Sequence, residues 1–182
     1  MLPLKKRAVF LDRDGVINEV VDRGENCEVL GKKVRWTAPW SYQEFRIKSG
    51  VNDELSKLGG LGFLKILVTN QPDLTYGLLS QEDHNLIMKD IGKLPFDDVY
   101  VCIHGRNDGC DCKKPKPGML LSAANKWGID LKGSFIVGDS GSDIEAGKSA
   151  GVSTILINGE QNLGVEADYH VSDLPEATGK LS

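Results

Sequence analysis

Short apolar, β-branched runs recur along the chain at residues 7–12, 63–69, 98–103, 134–137 and 152–157, with a weaker one at 169–171. Helical patterns fill the intervals between them, at 51–58, 81–91, 118–127 and 142–150. The runs are continuously apolar rather than alternating, as in strands buried on both faces. Strands separated by helices imply an α/β fold with a parallel sheet and right-handed crossovers. The helix ends carry their own signals. Ser80 offers an N-cap, Pro117 opens the third pattern, and Gly151 closes the fourth. A chain of 182 residues buries a substantial core without disulfides, so residues 1–182 are read as one domain.

In such sheets ligands bind beyond the carboxyl ends of the strands. Asp12, Thr69 and Asp139 each stand at the end of an apolar run, so three separated segments are expected to meet on one rim. The formal net charge of -4 argues against nucleic acid, whose phosphates are held by an excess of Lys and Arg. No stretch reaches membrane-spanning length, and the opening MLPLKKRAVFLDRDG is too quickly charged for a signal peptide. These features leave a small anionic ligand possible, and the chain is read as a cytoplasmic monomer.

The segment 19–48 is long for a simple connection and carries Trp36, Trp40, Tyr42 and Phe45 with Lys32, Lys33 and Arg35. Within it, 27–36 has the pattern of a hairpin turning near Gly31. It is either a flap over the rim or a surface hairpin whose aromatics pad the sheet edge.

LDRDGVIN sets Asp12 and Asp14 two apart at a strand end, on one side of the chain. Carboxylates so close repel when both are ionised, and Mg²⁺ with oxygen ligands is the usual remedy. VTNQ at 68–71 offers a hydroxyl and amides for phosphoryl oxygens. Lys113, Lys114 and Lys116 bring positive charge, and VGDSGSD at 137–143 adds Asp139 and Asp143. Asp143 is expected to orient Lys114 or a metal-bound water, or else to favour a helix N-terminus as a carboxylate.

A second cluster, CxHx5CxC at Cys102, His104, Cys110 and Cys112, can close a tetrahedral Zn²⁺ shell. Full protein ligation leaves no position for substrate, so this zinc is expected to be structural and to fix the loop that delivers Lys113 and Lys114. Cys27 is expected to be an ordinary buried thiol, and His84 and His170 to have surface or core roles rather than catalytic ones.

Nucleophile, hydroxyl, lysine and metal-binding acid, each at a strand end and in that order, resemble the four motifs of the haloacid dehalogenase superfamily of phosphatases, over residues 8 to 158. The resemblance implies a doubly wound, Rossmann-like parallel sheet with no large cap domain. It also implies an aspartyl-phosphate mechanism: Asp12 as nucleophile, Asp14 as general acid and base, Thr69 and Lys114 on the phosphoryl oxygens. Mg²⁺ would be held by the side chains of Asp12 and Asp139 and the backbone carbonyl of Asp14. Arg13, Asn70, Gln71 and Lys113 are expected to contact substrate.

The zinc motif joined to KKPKPGM resembles a narrower group, the D-glycero-D-manno-heptose 1,7-bisphosphate phosphatases and the related histidinol-phosphate phosphatases. There Lys113 would help recognise substrate, while Lys116 is a solvated surface charge. Two positions depart from the group: Tyr76 and Ser140 stand where basic residues are expected. Lys32, Lys33 and Arg35 are candidates to replace those anion contacts. A histidinol-phosphate substrate would instead call for a carboxylate at the pocket mouth, with Asp73 or Glu19 as candidates. A zinc-stabilised binding module without catalysis is the reading from another class.

Overall fold

The computed structural model describes residues 5–182. Six strands form one parallel sheet: β1 (Arg7–Leu11), β2 (Phe63–Asn70), β3 (Asp98–Cys102), β4 (Phe135–Gly138), β5 (Ser153–Ile157) and β6 (Tyr169–Val171). Their order is β6-β5-β4-β1-β2-β3, all neighbours parallel. The chain therefore winds from β1 to one edge and from β4 to the other, and the direction reverses between β1 and β4. That reversal opens a crevice at the carboxyl ends of these two strands, where Asp12 and Asp139 emerge.

Five helices cover the sheet: α1 (Val51–Gly60), α2 (Gln81–Ile91), α3 (Gly118–Trp127), α4 (Gly141–Ala150) and α5 (Leu174–Lys180). Alternation along the strands divides the core. Val9 and Leu11 of β1, Leu67, Val137, Ile155 and Ile157 pack under α1, α2 and α5. Ala8 and Phe10, Ile66, Val68 and Ile136 pack under α3 and α4. Both faces of β1 are thus dry, which is why its run is apolar throughout.

The expected helix caps hold where they were legible. Ser80 accepts the Asp83 N–H at 3.0 Å, and Gly151 ends α4 in the left-handed region. Helix α5 lies outside the expected patterns, being only seven residues with a glycine near its end. Its signal is nonetheless in the sequence: Asp173 accepts the Glu176 N–H at 2.9 Å, with Pro175 in the first turn.

Segment 19–48 is a two-rung ribbon. Val21–Asp22 pair antiparallel with Trp36–Thr37, and Glu28–Val29 with Lys32–Lys33. The two-residue turn Leu30-Gly31 has positive φ at both positions, which suits the twist of a hairpin. Cys27 sits in this ribbon half-exposed rather than buried, because two-residue strands provide no core to hold it.

Candidate active site

Asp12 leaves β1 with its N–H still bonded to the Val137 carbonyl of β4 at 3.0 Å, so both sides of the crevice fix its backbone. The Lys114 ammonium, almost fully buried, donates to Asp12 Oδ1 at 2.7 Å, to the Val68 carbonyl at 2.8 Å and to Asp143 Oδ1. Asn70 holds this lysine's backbone from both sides: its Oδ1 accepts the Lys114 N–H and its Nδ2 donates to the Lys114 carbonyl, each at 3.0 Å. Lys113 turns its ammonium back onto the His104 carbonyl at 3.0 Å while lining the same cavity.

Asp12, Asp139 and Asp143 bring carboxylate oxygens within 4.8 Å of one another. Burial and the Asp143 charge push Asp12 well above the usual carboxylate range, and they raise Asp139 to about 7. Burial alone would depress Lys114, but Asp12 and Asp143 carry it above the ordinary lysine range. One ammonium faces three carboxylates, and the excess of hard oxygen donors fits a divalent cation such as Mg²⁺. Gly15 makes the approach feasible: its φ of 83° is left-handed, and a side chain there would run into the Asp139 carboxylate.

Asp143 combines the two roles anticipated for it. Oδ1 takes Lys114, while Oδ2 accepts the Ser140 N–H at 3.1 Å and its hydroxyl at 2.6 Å at the start of α4. Ser140 is therefore bound to Asp143 where a basic residue was expected. Asn162 and Gln161, unforeseen from sequence, support Asp139: Asn162 Nδ2 donates to its carbonyl at 2.8 Å, and Gln161 Nε2 to Oδ2 at 3.3 Å. Their only signal is amide residues just past an apolar run, at 161–162.

Asp14 lines the cavity, but Arg13, Thr69 and Gln71 are completely buried behind it. Arg13 donates to Asp14 Oδ1 from Nε at 3.2 Å and from Nη2 at 2.9 Å. Gln71 Nε2 donates to Asp14 Oδ2 at 2.7 Å and to Thr69 Oγ1 at 2.8 Å. The structure thus places Arg13 and Gln71 against Asp14 instead of at the cavity wall expected of substrate contacts.

The cavity, about 330 Å³, is lined on one side by Val20, Trp36, Thr37 and Ala38 of the ribbon, which puts this segment at the rim, where the flap reading expects it. Trp36 and Gln161 also line an adjoining cavity of about 510 Å³ with Lys33 and Arg35. Arg35 pairs there with Asp22 at 3.0 Å and Glu160 at 3.4 Å, and Lys32 stays exposed near the hairpin tip.

The Cys/His cluster assembles beyond β3. Cys112 Sγ lies 3.2 Å from Cys102 Sγ and 3.3 Å from His104 Nδ1, and Cys102 lies 3.7 Å from Cys110. A tetrahedron with zinc–sulfur bonds near 2.3 Å spans about 3.8 Å between sulfurs, so the four donors fit zinc. Burial and the neighbouring thiols push Cys112 up to about 12, a crowding that a cation relieves. Tyr76 accepts the Arg106 N–H at 2.8 Å and so braces this loop from below. Lys116 is exposed as expected, though its ammonium also reaches the Cys110 carbonyl at 2.7 Å. His84 is buried on α2, and His170 is exposed on β6, bonded to Asn158 at 2.9 Å.

Residues 111–177 match the family described as HAD-hydrolase-like. The chain is 36% identical over 170 residues to the D-glycero-beta-D-manno-heptose-1,7-bisphosphate 7-phosphatase of Vibrio cholerae, covering 85% of this chain and 82% of that one. It is 32% identical over 168 residues to the D-glycero-alpha-D-manno-heptose-1,7-bisphosphate 7-phosphatase of Campylobacter jejuni, covering 88% of each. Among solved structures, the D,D-heptose 1,7-bisphosphate phosphatase of B. bronchiseptica, complexed with magnesium and phosphate, superposes with a TM-score of 0.78 at 29% identity, over 96% of this chain and 97% of that one. The chain belongs to the haloacid dehalogenase superfamily of phosphatases, in the group of the heptose 1,7-bisphosphate phosphatases.

Proposed function

We propose that residues 1–182 form one magnesium-dependent phosphatase domain that removes the 7-phosphate of a D-glycero-D-manno-heptose 1,7-bisphosphate. The observation that carries this reading is the convergence of Asp12, Lys114 and Asp139 at one cavity beside Asp14. The relatives named for that activity supply the substrate. Their split between beta and alpha anomers leaves the anomer open to assay.

An Asp12 carboxylate oxygen attacks phosphorus, and the bond from phosphorus to the sugar oxygen breaks. Asp14 gives its proton to that leaving oxygen, then takes one from a water whose oxygen attacks the aspartyl phosphate. Inorganic phosphate leaves and Asp12 is restored. Lys114 and the Thr69 hydroxyl hold the transferring phosphoryl oxygens, where fixed donors in a partly dry site are worth most. Asp12, Asp139 and the Asp14 carbonyl would hold Mg²⁺, which would supply positive charge against the negative charge of phosphoryl transfer. Cys102, His104, Cys110 and Cys112 would hold a structural Zn²⁺ that keeps Lys113 and Lys114 in place. Thiols gathered for a metal suit a reducing compartment, and we read the enzyme as a cytoplasmic monomer.

Histidinol phosphate is less favoured. Neither carboxylate that could meet its amine, Asp73 or Glu19, lines the cavity. The test is a phosphate-release assay with Mg²⁺ on heptose 1,7-bisphosphate, histidinol phosphate and p-nitrophenyl phosphate, with Asp12→Asn as blank. Preferred turnover of the heptose ester is expected. Release from none of the three would make the chain a binding module.

A further inference from the structure

Arg13 is among the largest completely buried side chains, yet among the described residues its only anionic partner is Asp14. A buried cation is costly unless paired and hydrogen-bonded, and Nη1 has no partner at all. The groups around it complete no structural network. Burial and Arg13 lower the pKa of His84, whose Nδ1 is also without a partner. Asp73 is half-buried nearby. The guanidinium is spent on one carboxylate of the site.

The other donors converge on the same group. Asp14 Oδ1 receives Arg13 Nε, Arg13 Nη2 and Asn18 Nδ2, the last at 3.0 Å, and Asn18 is itself fully buried. Three donors saturate that oxygen. Oδ2 receives one bond, from Gln71, at 2.7 Å. Gln71 uses its second amide hydrogen on Thr69 Oγ1, so the Thr69 hydroxyl hydrogen is left to donate elsewhere.

We propose that Arg13, with Asn18 and Gln71, is a buried clamp that anchors Asp14 through Oδ1 and leaves Oδ2 as the oxygen that exchanges the proton. None of the three clamp residues touches substrate; they are positioning residues. The inference rests on the reading of Asp14 as general acid and base. In the first step the proton goes from Oδ2 to the sugar oxygen as the bond from phosphorus to oxygen breaks. An alkoxide leaving group needs that proton, whereas p-nitrophenolate leaves without it.

The test compares kcat/KM of Arg13→Lys, Arg13→Met and Gln71→Ala on the heptose ester and on p-nitrophenyl phosphate, each variant checked by thermal melting. Arg13→Lys is expected to lower kcat/KM on the sugar ester about 30-fold through kcat, with KM within about threefold, and to lower the aryl ester at least tenfold less. Adding Arg13→Lys to Asp14→Asn is expected to cost nothing further, because the clamp acts only through Asp14. Should Arg13→Met fail to fold, Gln71→Ala gives the same ester contrast with the cation in place. Equal losses on both esters, or a further loss in the Asp14→Asn background, overturn the clamp. Wild-type inactivity on all esters would instead overturn the proposed function.

Discussion

The rim of the sheet and the flap above it are built on opposite terms. At the rim, Lys114, Asp143, Thr69 and Asn18 are buried, and the Lys114 ammonium ties together Asp12, Val68 and Asp143 from three separate segments. The flap stands on two-residue ladders and exposed charge. Its firmest attachment is Arg23, which meets both Glu44 oxygens at 2.6 Å and lies 3.9 Å over Trp40, with Tyr42 bonded to Asp90 of α2 at 2.6 Å. Its outer contact, Arg35 with Glu160 at 3.4 Å, is an exposed pair of the sort that contributes little. Phosphoryl transfer needs donors fixed in advance, which only a packed sheet supplies. Recognition of the rest of the substrate tolerates an element that yields and closes.

The contrast breaks most visibly at Asp12. Asp12→Asn is expected to reduce phosphate release by at least about 10³-fold while the melting temperature holds or rises, because a crowded, buried carboxylate is neutralised. A lower melting temperature would mean that the rim is built for stability. Removing zinc with a strong chelator, or replacing Cys110 with Ser, is expected to lower both melting temperature and activity, by about tenfold at saturating Mg²⁺. Metal analysis alongside the assay checks it, and full activity in metal-free protein would detach the loop from the site.

On the flap, Lys33→Ala with Arg35→Ala is expected to raise KM for the bisphosphate about fivefold with kcat within about twofold. Unchanged kinetics would end any role for these cations in anion recognition. The smallest effect lies far from both regions. Burial pushes Asp98 up, but hydrogen bonds from Lys126, Trp127 and the Val99 N–H bring its carboxyl down to about 2. A carboxyl depressed on folding stabilises above its unfolded pKa, near 4, and loses that contribution as the pH falls through its folded value. Asp98→Asn should therefore cost about 1 kcal/mol at pH 7 after solvent screening, and only a small fraction of that near pH 2. Denaturant titrations at the two pH values measure it, and turnover should not change.

Much of this was legible in the residues. Five clear apolar runs and a weaker sixth announced the strands, because a doubly covered parallel sheet leaves no polar face to interrupt them. Helix α5 was missed because its seven residues are held by packing of Leu174 and Ala177 rather than by propensity. Within the site, the meeting of Asp12 and Asp139 could be expected from their positions at strand ends, and that of Lys114 from the order of the motifs. The placement of Arg13 and Gln71 could not. Both were candidates for substrate contact by their neighbours in the chain, yet both turn inward behind Asp14. Asn162 and Gln161 left only a weak signal, since an amide after a strand reads as any loop.

The sequence by itself determined the sheet, the kinds of chemistry at its edge and the metal-ligand spacing, because hydrophobic period and residue type are local properties. Only the tertiary structure decided the strand order, the service of Tyr76 to the zinc loop, and which oxygen of Asp14 remains open. Those depend on side chains far apart in sequence competing for the same few hydrogen bonds, and that competition is settled only when the chain is packed.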